Sequence, residues 1–452
     1  MKRRDFLRFG ASVPMVAGAA TAGLFGTSST PGHASATDYK ALVCVFLNGG
    51  NDGNNVIIPT DGAYNDYSAG RYDLALAKNS LVALNGTSAG HTFGVHPALS
   101  PLAGLYNQNR LAFIANAGPL VAPVTAAQVL DHAGSVPSFL LSHSDQVAMQ
   151  QGWGGDDDAS GWAGRSLEML PAGLKNALSA VTMDNNRTLV LGRQSRVSFM
   201  SPYGARYWGQ ADLAQPSMAW TQTVNRMAQW QFTNEFEAEY SRTFGGAVED
   251  STLITQAMLL AQNPQAAFGS DELAVRLRSL AGVMPVFKSL GYKRQVFLVN
   301  WGSFDTHTGQ RGSGTISQDT QLATLAAALV AFDQSNVASG VGQEVTTVVM
   351  SDFGRTLKPA SGGGSDHSWG NNWWVMGGAV AGGQVYGQIP SFTLGGPDDF
   401  DRYGEGRWVP TIATDQVAST LVQWLGLPAS SVLDAFPNLA HFPQTNLGFM
   451  AG

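Results

Sequence analysis

Four apolar, β-branched runs constrain the fold of this chain more than any other feature of its sequence. They are residues 41–47, 111–115, 295–299 and 345–350. Continuous apolar runs of this length are typical of parallel strands that are buried on both faces. Leucine, alanine and valine recur at helical spacing between the runs, notably at 279–290 and 318–332. This alternation predicts an α/β protein whose central, mostly parallel sheet is covered by helices on both faces.

A mostly helical stretch at about 221–290 interrupts this alternation. Its aromatic residues are spaced so as to form one apolar stripe, which consists of Trp230, Phe232, Phe236, Tyr240 and Phe244. We expect the stretch to be a helical insertion that packs on the core rather than an aromatic ligand site. The 452-residue chain has neither an internal repeat nor a Pro/Ser-rich linker, so residues 37–452 are predicted to form a single domain.

The single cysteine of the chain, Cys44, lies inside the first apolar run. One cysteine cannot form an intramolecular disulfide, whatever the redox state of the compartment. Free cysteines are among the most buried residues of proteins. We therefore expect Cys44 to be a core residue rather than a nucleophile.

Residues 1–36 have the pattern of an export signal. A basic start is followed by an apolar stretch at 9–25 and by a small-residue cleavage site at 34–36, so the mature chain would begin near Thr37. The run from Arg3 to Arg8 resembles the twin-arginine motif, which implies export through the twin-arginine translocase to the periplasm or beyond. A stable membrane anchor is the less favoured alternative, because glycines interrupt an apolar stretch that would have to span the bilayer.

The charge balance excludes some partners. Lysine and arginine total 26 against 33 aspartates and glutamates, which gives a net charge of −7. Such a chain has no electrostatic basis for binding nucleic acid or an anionic membrane surface. A redox protein is also disfavoured, since a dinucleotide-binding glycine fingerprint and a cysteine cluster are both missing from the sequence.

Polar side chains follow the first and third runs, where an open parallel sheet binds its ligands. After the first run, Asp52 lies in a Gly/Asn-rich loop, as either a hard-metal ligand or the side chain of an Asx turn. After the third run, Asp305 and His307 are two residues apart, so an extended segment would point both to the same side. Together they offer a carboxylate and an imidazole to one crevice.

The fourth run ends at Asp352, and Arg355, Asp366 and His367 follow in the next segment. Arg355 is either a clamp for an oxyanion or half of a surface ion pair. Asp366 would either orient the His367 imidazole or cap a turn. Other aspartate clusters, at 156–158 and 398–401, are more typical of solvated turns.

The segment beyond the second run contains Ser142, His143, Ser144 and Asp145. A serine near the start of a helix is either a nucleophile, whose oxyanion the helix dipole favours, or an N-cap. We favour the cap for Ser144. Both roles stay open for Ser142, and a catalytic role stays open for His143.

Several motifs of this chain resemble those of the exported bacterial family of unknown function numbered 1501, from about residue 41 to residue 439. They are Gly-Gly-Asn-Asp-Gly at 49–53, Phe-Asp-Thr-His at 304–307, Ser-Asp-Phe-Gly-Arg-Thr at 351–356, Asp-His-Ser-Trp-Gly at 366–370 and Gly-Gly-Gln-Val-Tyr-Gly at 382–387. The family is similar to the alkaline phosphatase and sulfatase superfamily, whose enzymes hold one or two divalent metals at strand ends. The resemblance thus implies an alkaline-phosphatase-like fold.

Carried over by position, the resemblance also implies a set of site residues. The implied metal ligands are Asp52, Asp305, His307, Asp352 and His367. The implied catalytic residues are Ser142, His143 and Arg355. The cofactor would be a divalent metal, which is Zn, Mn, Ca or Mg. The superfamily commonly has a histidine directly after the strand-end carboxylate, where this chain has Phe353.

These patterns lead to two functional hypotheses. The first is an exported, metal-dependent hydrolase of phosphate or sulfate esters, with a small-molecule or glycan ester as substrate. The alternative is a non-catalytic descendant that binds a carbohydrate or an anion, with loop aromatics such as Trp369, Trp373 and Trp374 as its contacts. The resemblance further implies a second, co-encoded exported protein as a partner.

Overall fold

The structure is a computed structural model and describes residues 38–152, 158–204 and 206–451. The predicted signal peptide, residues 1–36, and the predicted mature start near Thr37 lie outside the described residues. None of the helices in the described ranges is long and apolar enough to cross a membrane.

Strands and helices alternate along most of the described chain. Its strands are β1 (Lys40–Leu47), β2 (Ile57–Pro59), β3 (Val82–Ala83), β4 (Phe93–Val95), β5 (Leu111–Gly118), β6 (Ala180–Thr182), β7 (Ser198–Phe199), β8 (Tyr207–Trp208), β9 (Ala211–Asp212), β10 (Arg294–Trp301), β11 (Val345–Ser351), β12 (Asn371–Gly377), β13 (Val385–Tyr386) and β14 (Ile412–Ala413). Its α-helices are α1 (Tyr64–Arg71), α2 (Ser100–Asn107), α3 (Ala126–Leu130), α4 (His143–Gln151), α5 (Trp162–Glu168), α6 (Ala219–Met227), α7 (Glu235–Leu260), α8 (Glu272–Ser289), α9 (Gln318–Ala338), α10 (Thr414–Leu425) and α11 (Val432–Ala435).

The main sheet has the strand order β13-β5-β12-β11-β1-β10-β6-β7, with β14 also paired to β5. The four predicted strands are β1, β5, β10 and β11, so these predictions are confirmed. Strand β12 runs antiparallel to both of its neighbours. The other pairings in this sheet, within the described residues, are parallel. The carboxyl ends of the parallel strands therefore share one sheet edge with the amino end of β12.

Alternate residues of β1 enter two separate apolar cores, one on each face of the sheet. Val43 and Val45 pack with residues of α8 and α9, whereas Cys44 and Phe46 pack with residues of α5 and α10. The predicted α/β class, with helices on both faces, is confirmed. Cys44 is fully buried, as predicted for a core residue, and burial raises the pKa of its thiol.

The helical stretch packs on the core in part, and its aromatic stripe lies outside the part that does. Helices α6, α7 and α8 lie in the stretch predicted to be helical, and α8 contributes to the core. In α7, however, Phe236 and Tyr240 are 88% and 61% exposed. This 26-residue helix is about 39 Å long, and the part that reaches the core lies near its carboxyl end, at Ile254 and Ala257. Phe236, Tyr240 and Phe244 lie on the part of α7 that extends beyond the core, and Trp230 and Phe232 precede the helix.

Candidate metal centre

The segments that carry most of the predicted site residues meet at one edge of the main sheet. Asp305 follows β10 and Asp352 follows β11, so both lie beyond the carboxyl ends of parallel strands. Because β12 runs in the opposite direction, the segment before it, which holds His367, reaches the same edge. The fourth contributor is His143, the first residue of α4.

Three imidazoles surround the carboxylate of Asp305. The Nε2 atoms of His307 and His367 lie 3.1 and 3.3 Å from Asp305 Oδ1, and His143 Nε2 lies 3.6 Å from Asp305 Oδ2. The two Nε2 atoms of His307 and His367 are 3.0 Å apart. One potential ligand atom from each of His143, Asp305 and His367 lies within 4.8 Å of the others. Three separate segments thus direct nitrogen and oxygen atoms into one small volume.

The second ring nitrogen of each histidine, Nδ1, has an acceptor of its own at 2.8 Å. The three pairs are His143 with Asp352, His307 with Asp366, and His367 with the backbone carbonyl of Leu141. Carbonyls and ionised carboxylates only accept hydrogen bonds, so each Nδ1 carries a proton. In the neutral ring, each Nε2 then presents its lone pair to the cluster. Metal-binding histidines are oriented in this way in proteins.

The cluster has the properties expected of a divalent-cation site. Two neutral Nε2 atoms 3.0 Å apart would point lone pairs at each other, which a cation between them relieves. Nitrogens bound at about 2.0–2.1 Å to a tetrahedral zinc lie about 3.3 Å apart, close to this separation. Asp352 Oδ1 is also buried without a hydrogen-bond partner among the described residues. Because imidazole nitrogens predominate, the donor set suits zinc better than calcium or magnesium.

The pKa shifts of the cluster favour a bound cation at Asp305 and His367 but not at His143. Burial acts to raise the pKa of Asp305, but the hydrogen bond from Arg355 and the neighbouring charges outweigh it and hold this pKa below its usual range. The hydrogen bond to Asp352 raises the pKa of His143. Burial lowers the pKa of His367, which favours its neutral, metal-binding form. The cluster therefore combines an anionic carboxylate with an imidazole that resists protonation.

Arg355, predicted to clamp an oxyanion, is fully buried and points into the protein. Its Nη2 donates to Asp305 Oδ1 at 2.5 Å and to the carbonyl of Gly49 at 2.6 Å. Its Nε and Nη1 donate to the carbonyls of Gly50 and Ser365. Since all three nitrogens are engaged, Arg355 holds the Asp305 carboxylate against the first loop. The structure gives it the geometry of a positioning residue.

Asp52, predicted to be a ligand, lies outside the cluster. Its buried carboxylate forms an ion pair with buried Arg71 and accepts a hydrogen bond from Gln310 Nε2 at 2.6 Å. It also accepts a hydrogen bond from the backbone amide of Asn54, which forms the Asx turn that the sequence offered as the alternative to a ligand. The first loop reaches the cluster through its backbone instead, because the Gly49 amide donates to Asp352 Oδ2 at 3.0 Å.

Ser142, for which the sequence left the roles of nucleophile and N-cap open, lies directly before α4. Its neighbours on both sides reach the cluster, because the Leu141 carbonyl accepts from His367 and His143 is itself a member. The Ser142 hydroxyl does not cap the helix backbone, and it donates to Asp145 in the first turn rather than to an imidazole. Ser142 is therefore adjacent to the cluster but lacks the histidine partner of a serine–histidine pair.

Phe353 occupies the position, directly after Asp352, where the superfamily commonly has a histidine. Its ring centroid lies 4.8 Å from that of His143 and 4.6 Å from that of His367, so it packs against both imidazoles. The imidazole that pairs with Asp352 comes from His143 instead, at 2.8 Å. The sequence assigned His143 a catalytic role, and the structure places it among the potential ligands.

Two further supports of His367 were not predicted from the sequence. One is the Leu141 carbonyl, and the other is Arg407, whose Nε donates to the His367 carbonyl at 2.9 Å. The loop that carries Arg407 is organised by Asp399, which is buried and accepts four backbone amides of that loop. The prediction of a solvated turn is therefore wrong for Asp399. Only the density of glycines and aspartates in this segment hinted at a structured loop.

The chain belongs to the family described as Protein of unknown function (DUF1501), whose profile matches residues 39–397. This confirms the resemblance stated from the motifs. No curated protein sequence matches the chain.

Several solved structures are distantly similar. The lipoteichoic acid synthase LtaP from Listeria monocytogenes is 12% identical with a TM-score of 0.33, and the match covers 87% of this chain and 73% of that one. A protein in the alkaline phosphatase superfamily from Vibrio parahaemolyticus is 10% identical with a TM-score of 0.32, over 88% of this chain and 69% of that one. The PsFucS1 sulfatase from Pseudoalteromonas sp. is 9% identical with a TM-score of 0.33, over 91% of this chain and 72% of that one.

Proposed function

We propose that this protein is an exported, metal-dependent hydrolase of phosphate or sulfate esters that acts on a small-molecule or glycan substrate. The observation that carries the proposal is the convergence of three imidazoles on Asp305, with an acceptor fixed at each Nδ1. A divalent metal at such a site acts as a Lewis acid, neutralises an anionic ester and lowers the pKa of a bound water or hydroxyl.

The proposed ligands are His143, His307, His367 and Asp305. Asp352 is proposed to orient His143 through Oδ2, while its buried, unpaired Oδ1 offers a further donor oxygen. This assignment keeps three of the five ligands expected from the sequence, adds His143 and gives Asp352 an orienting role. Asp52 is not included, because Arg71 and Gln310 already engage its carboxylate.

Ser142 is the proposed nucleophile. It lies at the amino end of α4, where free backbone amides and the helix dipole stabilise negative charge on an attacking oxygen or a bound anion. Asp145 accepts a hydrogen bond from the Ser142 hydroxyl and is proposed to orient that hydroxyl. Arg355 is proposed to position Asp305 rather than to contact the substrate.

Metal analysis followed by an ester screen tests this proposal. Mature protein is expected to bind stoichiometric metal and to hydrolyse at least one chromogenic phosphate monoester, phosphate diester or sulfate ester. Asp305→Asn should lose both properties, and Ser142→Ala should keep the metal but lose turnover by at least about 100-fold. Asp61→Asn and the exposed Ser80→Ala, both outside the cluster, are the matched controls and should keep both. Protein that lacks metal and does not respond to added Zn, Mn, Ca or Mg would contradict the proposal.

A second candidate is a non-catalytic, anion-binding protein. It is favoured by the engaged nitrogens of Arg355 and by the lack of a described imidazole partner for Ser142. A carbohydrate site built on Trp369, Trp373 and Trp374 is not supported, since all three are buried. Tight binding of phosphate or sulfate to metal-loaded protein, without hydrolysis of any ester, would favour this candidate.

Export is proposed on the sequence of residues 1–36. Replacing both Arg3 and Arg4 by lysine is expected to leave unprocessed precursor inside the cell, because the twin-arginine translocase requires the arginine pair. Fractionation of cells that express the wild-type and the substituted chains measures this. Unchanged export of the substituted chain would rule out that route.

A further inference from the structure

Leu141 has an unusual backbone conformation for its residue type. Its φ is +71°, in the left-handed region, and Phe139 two residues earlier has a φ of +57°. This region is unfavourable for residues with a Cβ atom and is uncommon outside glycine, asparagine and aspartate. Strained residues of this kind persist only where their surroundings hold them in place, and they concentrate at functional sites.

Both backbone polar groups of Leu141 are held by specific partners. Its amide donates to Oε1 of the buried Gln146 at 2.6 Å. Its carbonyl accepts from His367 Nδ1 at 2.8 Å. The amide anchor therefore fixes the peptide unit from one side, while the carbonyl reaches the cluster from the other.

We infer that the left-handed backbone of Leu141 positions His367, an inference that rests on the proposed metal site. The carbonyl determines which ring nitrogen carries the proton, because a carbonyl oxygen only accepts. It thereby selects the tautomer in which His367 Nε2 presents a lone pair beside Asp305, 3.3 Å away. Leu141 is a positioning residue, and its contribution comes from the backbone rather than from the side chain.

His367 differs from the other two histidines of the cluster, because its Nδ1 partner is a backbone carbonyl rather than a carboxylate. His143 and His307 are anchored by carboxylates, whose charge holds an Nδ1 proton more strongly than a neutral carbonyl does. The Nε2 atom of His367 faces Asp305 Oδ1 and His307 Nε2, at 3.3 and 3.0 Å, and the rings of His143 and Phe353 pack against the His367 ring at 4.4 and 4.6 Å. Ring packing restrains the plane of an imidazole but does not choose its tautomer.

Two substitutions at Leu141 separate the backbone from the side chain. Leu141→Gly removes the side chain but favours a positive φ, so the carbonyl should stay in place. Leu141→Val keeps an apolar side chain, but a β-branched residue is a strong outlier at this φ, so the carbonyl should move. Ala89→Val is the control, because it places a β-branched residue at a φ of +49° in an exposed turn outside the cluster.

The readouts are the affinity for Zn²⁺, measured by competition with a chromophoric chelator, and the visible spectrum of the Co²⁺-loaded protein. Leu141→Val is expected to lose about 10- to 100-fold in Zn²⁺ affinity and to change the Co²⁺ spectrum. Leu141→Gly and Ala89→Val should match the wild type in both. The inference is overturned if Leu141→Val binds Zn²⁺ as tightly as the wild type, or if Leu141→Gly loses as much affinity as Leu141→Val.

A third measurement needs no metal and separates this inference from the proposed function. Nitrogen-15 NMR of metal-free protein should show His367 protonated at Nδ1 in the wild type and Leu141→Gly, and a mixture of tautomers in Leu141→Val. Wild-type protein with this tautomer pattern but without affinity for Zn²⁺ or Co²⁺ would contradict the proposed metal site alone. The same tautomer in all variants would overturn the role of Leu141.

Discussion

Asp52 and Asp305 follow neighbouring parallel strands of one sheet, but they have different surroundings. The carboxylate of Asp52 is fully buried and paired with Arg71, which is also fully buried. The carboxylate of Asp305 is 42% exposed and has Arg355 on one side and imidazoles on the other. A buried pair of opposite charges is a structural element that depends on both partners, whereas a half-exposed carboxylate among neutral imidazoles can accept a cation.

Removing the partner of Asp52 should affect folding rather than metal binding. Arg71→Met leaves a buried carboxylate unpaired, and we expect it to lower the free energy of unfolding by about 3–5 kcal/mol. Its metal content should stay that of the wild type, since Arg71 has no described contact with the cluster. Urea unfolding and metal analysis of the same preparation check both parts. A folded Arg71→Met protein that has lost its metal would show that the Arg71–Asp52 pair supports the metal site.

Asp366 offers a test of a carboxylate that orients a histidine. Asp366→Asn should weaken metal affinity by about 10- to 100-fold, because an amide can donate to His307 Nδ1 and so favour the wrong tautomer. Asp61 forms a similar pair with His91, at 2.9 Å, outside the cluster. Asp61→Asn is therefore the matched control, and titration with Zn²⁺ should show no change. Equal affinities for the two variants would remove Asp366 from the site.

For individual residues, the sequence predicted where the site lies but not how every side chain in it is oriented. Asp305, His307, Asp352 and His367 were predicted because polar residues at the ends of parallel strands converge. The burial of Asp52 was not predictable, because its partner, Arg71, belongs to a helix with no pattern that links it to the first loop. The Leu141 carbonyl was not predictable either, since a backbone contact leaves no mark on residue type.

Among the elements, β12 shows where strand prediction fails. The four predicted strands are apolar and β-branched, whereas β12 has the sequence Asn-Asn-Trp-Trp-Val-Met-Gly and was interpreted as part of an aromatic loop. Its pairing with β11 and β5 buries all seven of its residues. Aromatic residues between asparagine and glycine do not distinguish a central strand from a loop, and tertiary packing decides the outcome.

Helix α10 carries a buried acid that should make stability depend on pH. Burial raises the pKa of Asp415 to about 7, although Arg165 and Asn438 act in the opposite direction. The folded state therefore holds this proton more tightly than the unfolded chain, where the pKa of an aspartate is about 3.9. Its contribution to stability is present at low pH and is lost as the pH rises through 7.

Asp415→Asn should remove this dependence, because the amide mimics the neutral acid. Its gain in unfolding free energy over the wild type should grow between pH 4 and pH 7 and level off above, at a value on the order of 4 kcal/mol. Urea unfolding at several pH values measures the difference. The exposed Asp434→Asn serves as the control, and a gain for Asp415→Asn that does not change with pH would contradict the assignment.

For the molecule as a whole, the candidate metal centre depends on the assembled sheet. Its side chains come from the start of α4, the segment after β10 and the segment between β11 and β12. More than 200 residues of chain separate Asp352 from its partner His143. These groups cannot lie together in an unfolded chain, so metal binding should be coupled to folding.

Bound metal should therefore stabilise the whole protein. At a free Zn²⁺ concentration 100 times the Kd, the expected gain in unfolding free energy is about 2.7 kcal/mol. Chemical unfolding of chelator-treated protein, with and without added Zn²⁺, measures this gain. His367→Ala should unfold at the same denaturant concentration with and without Zn²⁺, whereas His91→Ala should respond like the wild type. Stabilisation of both variants alike would indicate metal binding elsewhere.

Because β12 runs antiparallel to its neighbours, changes in chain length after this strand should not disturb the candidate site. This strand of seven residues spans about 23 Å, so the segment before it and the turn after it lie at opposite edges of the sheet. In that turn, the amides of Gly377 and Gly378 bond to the carbonyls of Arg110 and Gly342, near the amino ends of β5 and β11. Insertions or a fluorescent reporter placed there would leave the spacing of the histidines unchanged. The edge of the sheet opposite the candidate site should therefore tolerate insertions, both in related sequences and in engineered variants.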